Sequence, residues 1–90
     1  MKVILVCSCG GMRDKAKTAF SILYPKDELP EIYVGRDAIK KFAGKHQGTN
    51  IASYAEATSK QNGQYSYYIE YNDKGDVTKI INLTNGKQVA

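Results

Sequence analysis

The chain has 90 residues, of which 42% are hydrophobic and 24% are charged, and its formal net charge is +4. A chain of this length buries only roughly 60% of the surface that it exposes when unfolded, so we predict a single domain spanning residues 1–90 with one modest core. The length excludes a two-domain enzyme, and the ordinary composition excludes a disordered or collagen-like chain.

The positive charge is concentrated in the first half of the chain. Residues 1–48 contain nine Lys or Arg and five Asp or Glu, whereas residues 49–90 contain four of each. The neutral second half instead contains five of the seven tyrosines, all between Tyr54 and Tyr71. A basic excess makes nucleic acid or an anionic ligand a candidate partner.

The predicted location follows from the apolar runs and the cysteines. The longest apolar run near the start, residues 3–7, is too short for a secretory signal or a membrane span, so we predict a cytoplasmic protein with no membrane partner. Cys7 and Cys9 are separated by one residue, and a disulfide across so short a loop would be strained. Both cysteines are therefore predicted to be reduced thiols.

The first half of the chain predicts two strands and two helices in alternation. Residues 2–7 predict a buried strand, and apolar residues recur at helical spacing from residue 12 to residue 24, where Pro25 ends the helix. Residues 31–34 predict a short strand. Asp37 can cap a second helix that runs to about His46, and Gly48 follows that helix.

The second half of the chain predicts antiparallel strands. Residues 51–61 are ambiguous between helix and strand, and we favour strand at their end because Asn62-Gly63 is a hairpin signal. Residues 64–71 alternate as a strand does, and residues 76–83 are its predicted partner. The element order predicts an α+β fold, with one mixed or antiparallel sheet made of the N-terminal strand and a C-terminal meander, and with two helices packed on one face.

One motif suggests chemistry. Cys7 and Arg13 are separated by five residues between a predicted strand and a predicted helix. Residues 2–13 resemble the phosphate-binding loop of the low-molecular-weight tyrosine phosphatases and the related arsenate reductases, and also the IIB proteins of the sugar phosphotransferase system. The resemblance implies that backbone N–H groups converge on an anion, with Cys7 as the nucleophile, Arg13 as a bidentate clamp and Gly10 and Gly11 allowing the loop conformation.

The same residues also fit a purely structural role, with Cys7 and Cys9 as small side chains at a strand end and a plain turn at the two glycines. A metal site is not predicted, because Cys7, Cys9 and His46 are only three soft ligands and structural zinc uses four. No cofactor is predicted. His46 is the only histidine, so no triad can be proposed, and the sequence favours a protein without enzymatic activity.

Two other features suit a macromolecular partner. They are the basic residues of the second helix and the tyrosines of the first meander strand, namely Arg36, Lys40, Lys41, Lys45, Tyr65, Tyr67, Tyr68 and Tyr71. Cations bind a phosphate backbone, and exposed tyrosines can stack on unpaired bases or anchor a protein interface. The same patterns are typical of a solvated helix face and a half-buried strand.

From these features we predict a small binding module that acts on a macromolecule, with a protein as the favoured partner and an inhibitor or adaptor as the favoured role. Nucleic-acid binding through the basic helical half is the first alternative. Phosphoryl chemistry or anion binding at the loop from Cys7 to Arg13 is the second. A free strand edge also leaves a homodimer open.

Overall fold

A computed structural model describes residues 2–90, which form one five-stranded sheet and three helices. The strands are β1 (Lys2–Cys7), β2 (Glu31–Val34), β3 (Ser66–Tyr71), β4 (Val77–Asn82) and β5 (Lys87–Gln88). The helices are α1 (Gly10–Leu23), α2 (Arg36–Lys45) and α3 (Asn50–Ser59). Within residues 2–90, no helix combines the length and the apolar composition needed to cross a membrane.

The sheet is mixed, and β1 lies near its centre. The strand order is β2-β1-β3-β4-β5, with β1 parallel to β2 and every other neighbouring pair antiparallel. Parallel neighbours need a crossover connection, and α1 provides it between β1 and β2. The predicted α+β class with a single mixed sheet and a C-terminal meander is confirmed.

The helices cover both faces of the sheet, so the prediction of two helices on one face is wrong in this detail. Ile4 and Val6 of β1 pack in the core that contains α2 and α3, whereas Leu5 and Cys7 pack in the core that contains α1. The physical reason is visible in β1, where residues 3–6 are continuously apolar instead of alternating. Such a strand needs cover on both of its faces.

The ambiguous segment forms helix α3, so the strand that we favoured at its end is wrong. Its buried residues recur at helical spacing, at Ile51, Ala52, Ala55, Thr58 and Ser59. The helix begins with a side-chain cap, since the Thr49 hydroxyl accepts a hydrogen bond from the Ala52 amide. Burial of this face and the cap together outweigh the hairpin signal, which lies in the loop after the helix.

The start of helix α3 is hydrogen-bonded to the turn between β3 and β4. The Ile51 amide donates a 2.7 Å hydrogen bond to the Gly75 carbonyl, and the Asn50 side-chain oxygen accepts one from the Val77 amide. Gly75 has a φ of +86°, and a Cβ at this position would lie 2.6 Å from the Thr49 Cβ. Only glycine combines this conformation with so close an approach.

Candidate anion site at the carboxyl end of β1 and β2

Two helices begin just beyond the paired carboxyl ends of β1 and β2. The last residues of these parallel strands, Cys7 and Val34, are paired, and the Gly35 amide donates a 2.8 Å hydrogen bond to the Cys7 carbonyl. Helix α1 starts at Gly10 and helix α2 at Arg36, and the two helices leave to opposite faces of the sheet. In open sheets with parallel strands, ligands bind at this kind of topological switch point.

Neither helix N-terminus at this end has a side-chain cap. The N-cap of α1 is Cys9, in extended backbone, and the N-cap of α2 is Gly35, with a φ of +85°. A Cβ built on Gly10 or Gly35 meets no heavy atom within 4 Å, so there is open space beside the backbone at these two positions. The first N–H groups of a helix have no partner within the helix, which makes an open, uncapped N-terminus a place for an anion.

Two arginines and one carboxylate accompany these helix starts. Arg36 is the first residue of α2, is exposed, and donates a 3.3 Å hydrogen bond from Nη2 to the Asn62 side-chain oxygen. Arg13 is exposed on the first turn of α1, which contains no acidic residue. Asp37 is the acidic residue in the first turn of α2. The balance of charge on the two first turns therefore favours an anion.

The loop between β1 and α1 is shorter than the resemblance implies. Only Ser8 and Cys9 lie between the strand and the helix, and Gly10 to Arg13 already belong to α1. Ser8 is held by two hydrogen bonds, from its amide to the Tyr65 carbonyl at 3.0 Å and from the Tyr65 amide to its hydroxyl at 3.1 Å. The free N–H groups at this point are those of a helix first turn and not of a five-residue loop.

Cys7 lies inside the core. Its side chain is fully buried in the cluster that contains Leu5 and Met12. Burial raises the pKa of the Cys7 thiol to about 11, Cys9 adds to this effect, and the charge of Arg13 opposes it. At neutral pH Cys7 is therefore a protonated thiol, which is not the thiolate that the resemblance implies for a nucleophile.

Cys9 has the opposite environment, and its role was not recognised in the sequence. It is exposed, and the Met12 amide is the main cause of a lowered thiol pKa, with smaller contributions from the Gly11 amide, Ser8 and Lys15. These amides belong to the first turn of α1, so the Cys9 sulfur is itself a group that this helix N-terminus attracts. The signal in the sequence was the position of Cys9 directly before two glycines at a helix start.

A buried hydroxyl without a partner belongs to a residue that starts at the same end of the sheet. Tyr65, whose backbone is bonded to Ser8, is 3% exposed, and its hydroxyl has no hydrogen-bond partner within residues 2–90. Burial raises the pKa of Tyr65, and the positive charge of Arg36 opposes that rise. Arg36 therefore lies close enough to this phenol to influence it electrostatically.

The structure separates the residues that the sequence grouped as a macromolecular surface. Tyr65, Tyr68 and Tyr71 are buried, which removes them from the exposed surface that stacking or anchoring requires. Tyr67 is half-buried and hydrogen-bonded to Gln61 at 3.0 Å. These tyrosines form the core under the helices and do not form a platform.

The predicted basic residues of α2 are all exposed, but they do not share one groove. Lys40 lines a groove between α2 and α3, together with Glu56. Lys45 lines a different groove at the amino end of β1, together with Lys2 and His46. Within the described residues, no group of three or more His, Cys, Asp or Glu side chains is placed to hold a metal ion.

Comparisons of the chain with protein-family models, with curated proteins and with solved structures find no match. A function must therefore be inferred from the residues and their geometry.

Proposed function

We propose that this protein binds a phosphate-bearing ligand at the carboxyl end of β1 and β2. One observation carries the proposal: α1 and α2 follow the paired carboxyl ends of β1 and β2, start without side-chain cap hydrogen bonds, and pack on opposite faces of the sheet. Each helix N-terminus carries the equivalent of roughly half a positive elementary charge. A ligand at this end of the sheet would meet both helix dipoles, and at α1 it would compete with the Cys9 sulfur for the amides of Gly11 and Met12.

The residues around this point favour phosphate over a smaller anion. A phosphate group presents several oxygens, so it can accept hydrogen bonds from both helix starts at once. Arg13 and Arg36 supply guanidinium groups, which bind phosphate oxygens in a bidentate manner. The absence of a side chain at Gly10 and Gly35 leaves room for such a ligand to approach the backbone.

Binding is favoured over phosphoryl transfer. A cysteine that carries phosphate must react as a thiolate, and burial keeps Cys7 protonated at neutral pH. Cys9 is the more acidic thiol, but it occupies the N-cap of α1 and no general acid or base is hydrogen-bonded to it. A protein partner stays a prediction, now without the buried tyrosines that suggested it.

The proposal can be tested by titrating the ¹⁵N-labelled protein with inorganic phosphate at constant ionic strength. We expect saturable shifts of the amide resonances of Gly10, Gly11 and Arg36, since these residues lie in the first turns of the two helices, whereas the Gly35 amide already donates to the Cys7 carbonyl. The variant Gly10→Asp places a carboxylate at the first position of α1, in open space, and should abolish the shifts by occupying the site. The variant Gln88→Asp, on exposed β5, changes the charge by the same one unit and is the matched control, which should bind phosphate as the wild type does.

Shifts that fail to saturate, or that are as large around Lys87 as around Gly10, would contradict the proposal. Phosphate binding that survives in Gly10→Asp would contradict it as well, because the carboxylate would then not share the site.

A further inference from the structure

A second basic surface lies at the opposite end of β1. Because β2 pairs only with residues 4–7 of β1, Lys2 and Val3 have no neighbour on that side. An open groove of about 430 Å³ lies there, lined by Lys2, Lys45 and His46 and by one carboxylate, Glu31, which accepts a hydrogen bond from the Tyr33 hydroxyl. An adjoining groove of about 280 Å³ shares the first three residues and adds Lys74 and Asp73, so the two grooves together have three lysines against two carboxylates. We call the two together the Lys2–Lys45 groove.

Aromatic rings form the floor of the Lys2–Lys45 groove. The ring of Phe42 lies 4.9 Å from that of Tyr33, 4.4 Å from that of His46 and 6.0 Å from that of Tyr71, measured between centroids. Phe42 and Tyr71 are buried, but Tyr33 and His46 are only half-buried. Ammonium groups beside partly exposed rings are the combination with which proteins bind unpaired bases and their backbone.

Helix α2 connects this groove to the proposed phosphate site. It runs from Arg36 at the carboxyl end of β1 and β2 to Lys45 at the groove, and its ten residues span about 15 Å. Its exposed basic residues are Arg36, Lys40, Lys41 and Lys45, against one acidic residue, Asp37. These four residues are spread over about half of the helix circumference, so a strand would cross the exposed face of α2 diagonally from Arg36 to Lys45 and would not follow a single groove. At about 3.4 Å for each stacked nucleotide, that length matches roughly four phosphates.

We propose that the ligand is single-stranded nucleic acid, with one phosphate at the two helix N-termini, its backbone along α2 and its bases against Tyr33 and His46. The inference rests on the proposed function, because the first phosphate uses the same helix starts. An acidic peptide would meet the same cations but would gain little from the half-buried rings. In a duplex the bases are paired and stacked, so their faces are not available to these rings.

The experiment is a fluorescence anisotropy titration with labelled oligothymidylates of two, four, eight and twelve nucleotides. We expect the affinity to rise with length up to the span of α2 and the groove. Salt should weaken dodecamer binding with a log–log slope of about −3, as expected for roughly four phosphate contacts on a single strand. The variants Lys2→Glu and Lys45→Glu should each weaken the dodecamer at least about tenfold, and Lys87→Glu, with the same change of charge on β5, should not.

The contribution of the rings can be separated from that of the charges. Tyr33→Leu should weaken the thymidylate dodecamer several-fold and leave an abasic dodecamer unchanged, because only the former has bases to stack. Equal or tighter binding of a duplex, or of a glutamate peptide with the same charge, would overturn the inference. So would an affinity that does not depend on length.

The phosphate and dodecamer titrations together distinguish the nucleic-acid inference from the proposed binding of phosphate. If inorganic phosphate shifts the amide resonances of Gly10 and Arg36 but the dodecamer binds no more tightly than phosphate, only the nucleic-acid inference fails. If neither phosphate nor the dodecamer perturbs the amide resonances of Gly10 and Arg36, both fail.

Discussion

The two faces of the sheet are built differently. The face under α1 has one helix and a core of sulfur-containing and aromatic side chains, among them Cys7, Met12, Phe20 and Tyr68. The face under α2 and α3 has two helices and a larger core, rich in isoleucine, alanine and tyrosine. Among residues 2–90, the core on the side of α2 and α3 has twelve buried residues, against eight on the side of α1, yet each side contributes one helix without a side-chain cap to the carboxyl end of β1 and β2.

The largest expected effect compares the two cores directly. Phe42 on the larger face is 2% exposed and contacts three aromatic rings, whereas Phe20 on the α1 face is 4% exposed and contacts those of Tyr24 and Tyr68. We expect Phe42→Ala to lower the free energy of unfolding by about 5 kcal/mol and Phe20→Ala by about 3 kcal/mol. Urea denaturation measures both, and the milder Phe→Leu pair serves if an alanine variant does not fold. If Phe20→Ala lowered the free energy of unfolding as much as Phe42→Ala or more, the core under α2 and α3 would not be the more stabilising of the two.

The next effect concerns the hydrogen-bonded attachment of α3 to the turn between β3 and β4. Gly75→Ala imposes a left-handed backbone on alanine and also drives its Cβ against Thr49, for an expected cost of about 3 kcal/mol. Gly86→Ala is the matched control, because Gly86 has a φ of +73° with no heavy atom within 4 Å of the Cβ position, and it should cost about 1 kcal/mol. Equal melting temperatures for the two variants would show that the contact with Thr49 is unimportant.

A third effect is specific to the α1 face and depends on pH. Because burial raises the pKa of Cys7 from 9.0 to about 11, the folded state resists ionisation that the unfolded state undergoes. The stability contributed by the buried thiol is therefore complete below pH 9 and is lost as the pH rises towards 11. We expect a loss of about 2 kcal/mol by pH 10.5, at about 1.4 kcal/mol for each pH unit.

Cys7→Ala isolates this contribution from that of the tyrosines, which titrate in both proteins. The difference in unfolding free energy between wild type and variant, measured by urea denaturation from pH 8 to pH 10.5, should shrink as the pH rises. A constant difference would mean that the Cys7 thiol ionises as easily in the folded state as in the unfolded chain.

The smallest effect compares the helix starts. Cys9 is the N-cap of α1 without a capping hydrogen bond, whereas Thr49 caps α3. We expect Cys9→Ser to raise the free energy of unfolding by about 0.5–1 kcal/mol, and Thr49→Ala to lower it by about 1 kcal/mol. The serine should also weaken phosphate binding, because it occupies amides of the first turn of α1. If Cys9→Ser changed neither the melting temperature nor the affinity for phosphate, the N-terminus of α1 would not differ from that of α3 in its need for a capping side chain.

Much of the fold could be predicted because its signals are local. The strand from Lys2 to Cys7, the helix that Pro25 ends and the β3–β4 pair all follow from periodicity within each segment. Helix α3 could not be predicted with the same ease, since its identity depends on the apolar face that it buries against the sheet. The uninterrupted apolar run of β1 correctly predicted a buried strand, and cover on both faces of the sheet is the further consequence of that run.

The sequence indicated the part of the candidate site at α1 but not the part at α2. The spacing of Cys7 and Arg13 indicated an anion near the start of α1, and the structure keeps the backbone of that helix start available. The contribution of Gly35 and Arg36 depends on the parallel pairing of β1 with β2, which joins residues 27 positions apart. Nor could the spacing distinguish the buried Cys7 from the exposed Cys9, because that difference comes from the face on which each side chain lies.

The central position of β1 has a consequence for synthesis on the ribosome. Its antiparallel neighbour β3 begins at Ser66, so one edge of this apolar strand has no partner until more than fifty further residues have been added. At roughly 5–20 residues per second, the nascent chain exposes that edge for several seconds. Unpaired apolar edges are sites of aggregation, so chains interrupted before β3 should be the species that chaperones bind or proteases remove.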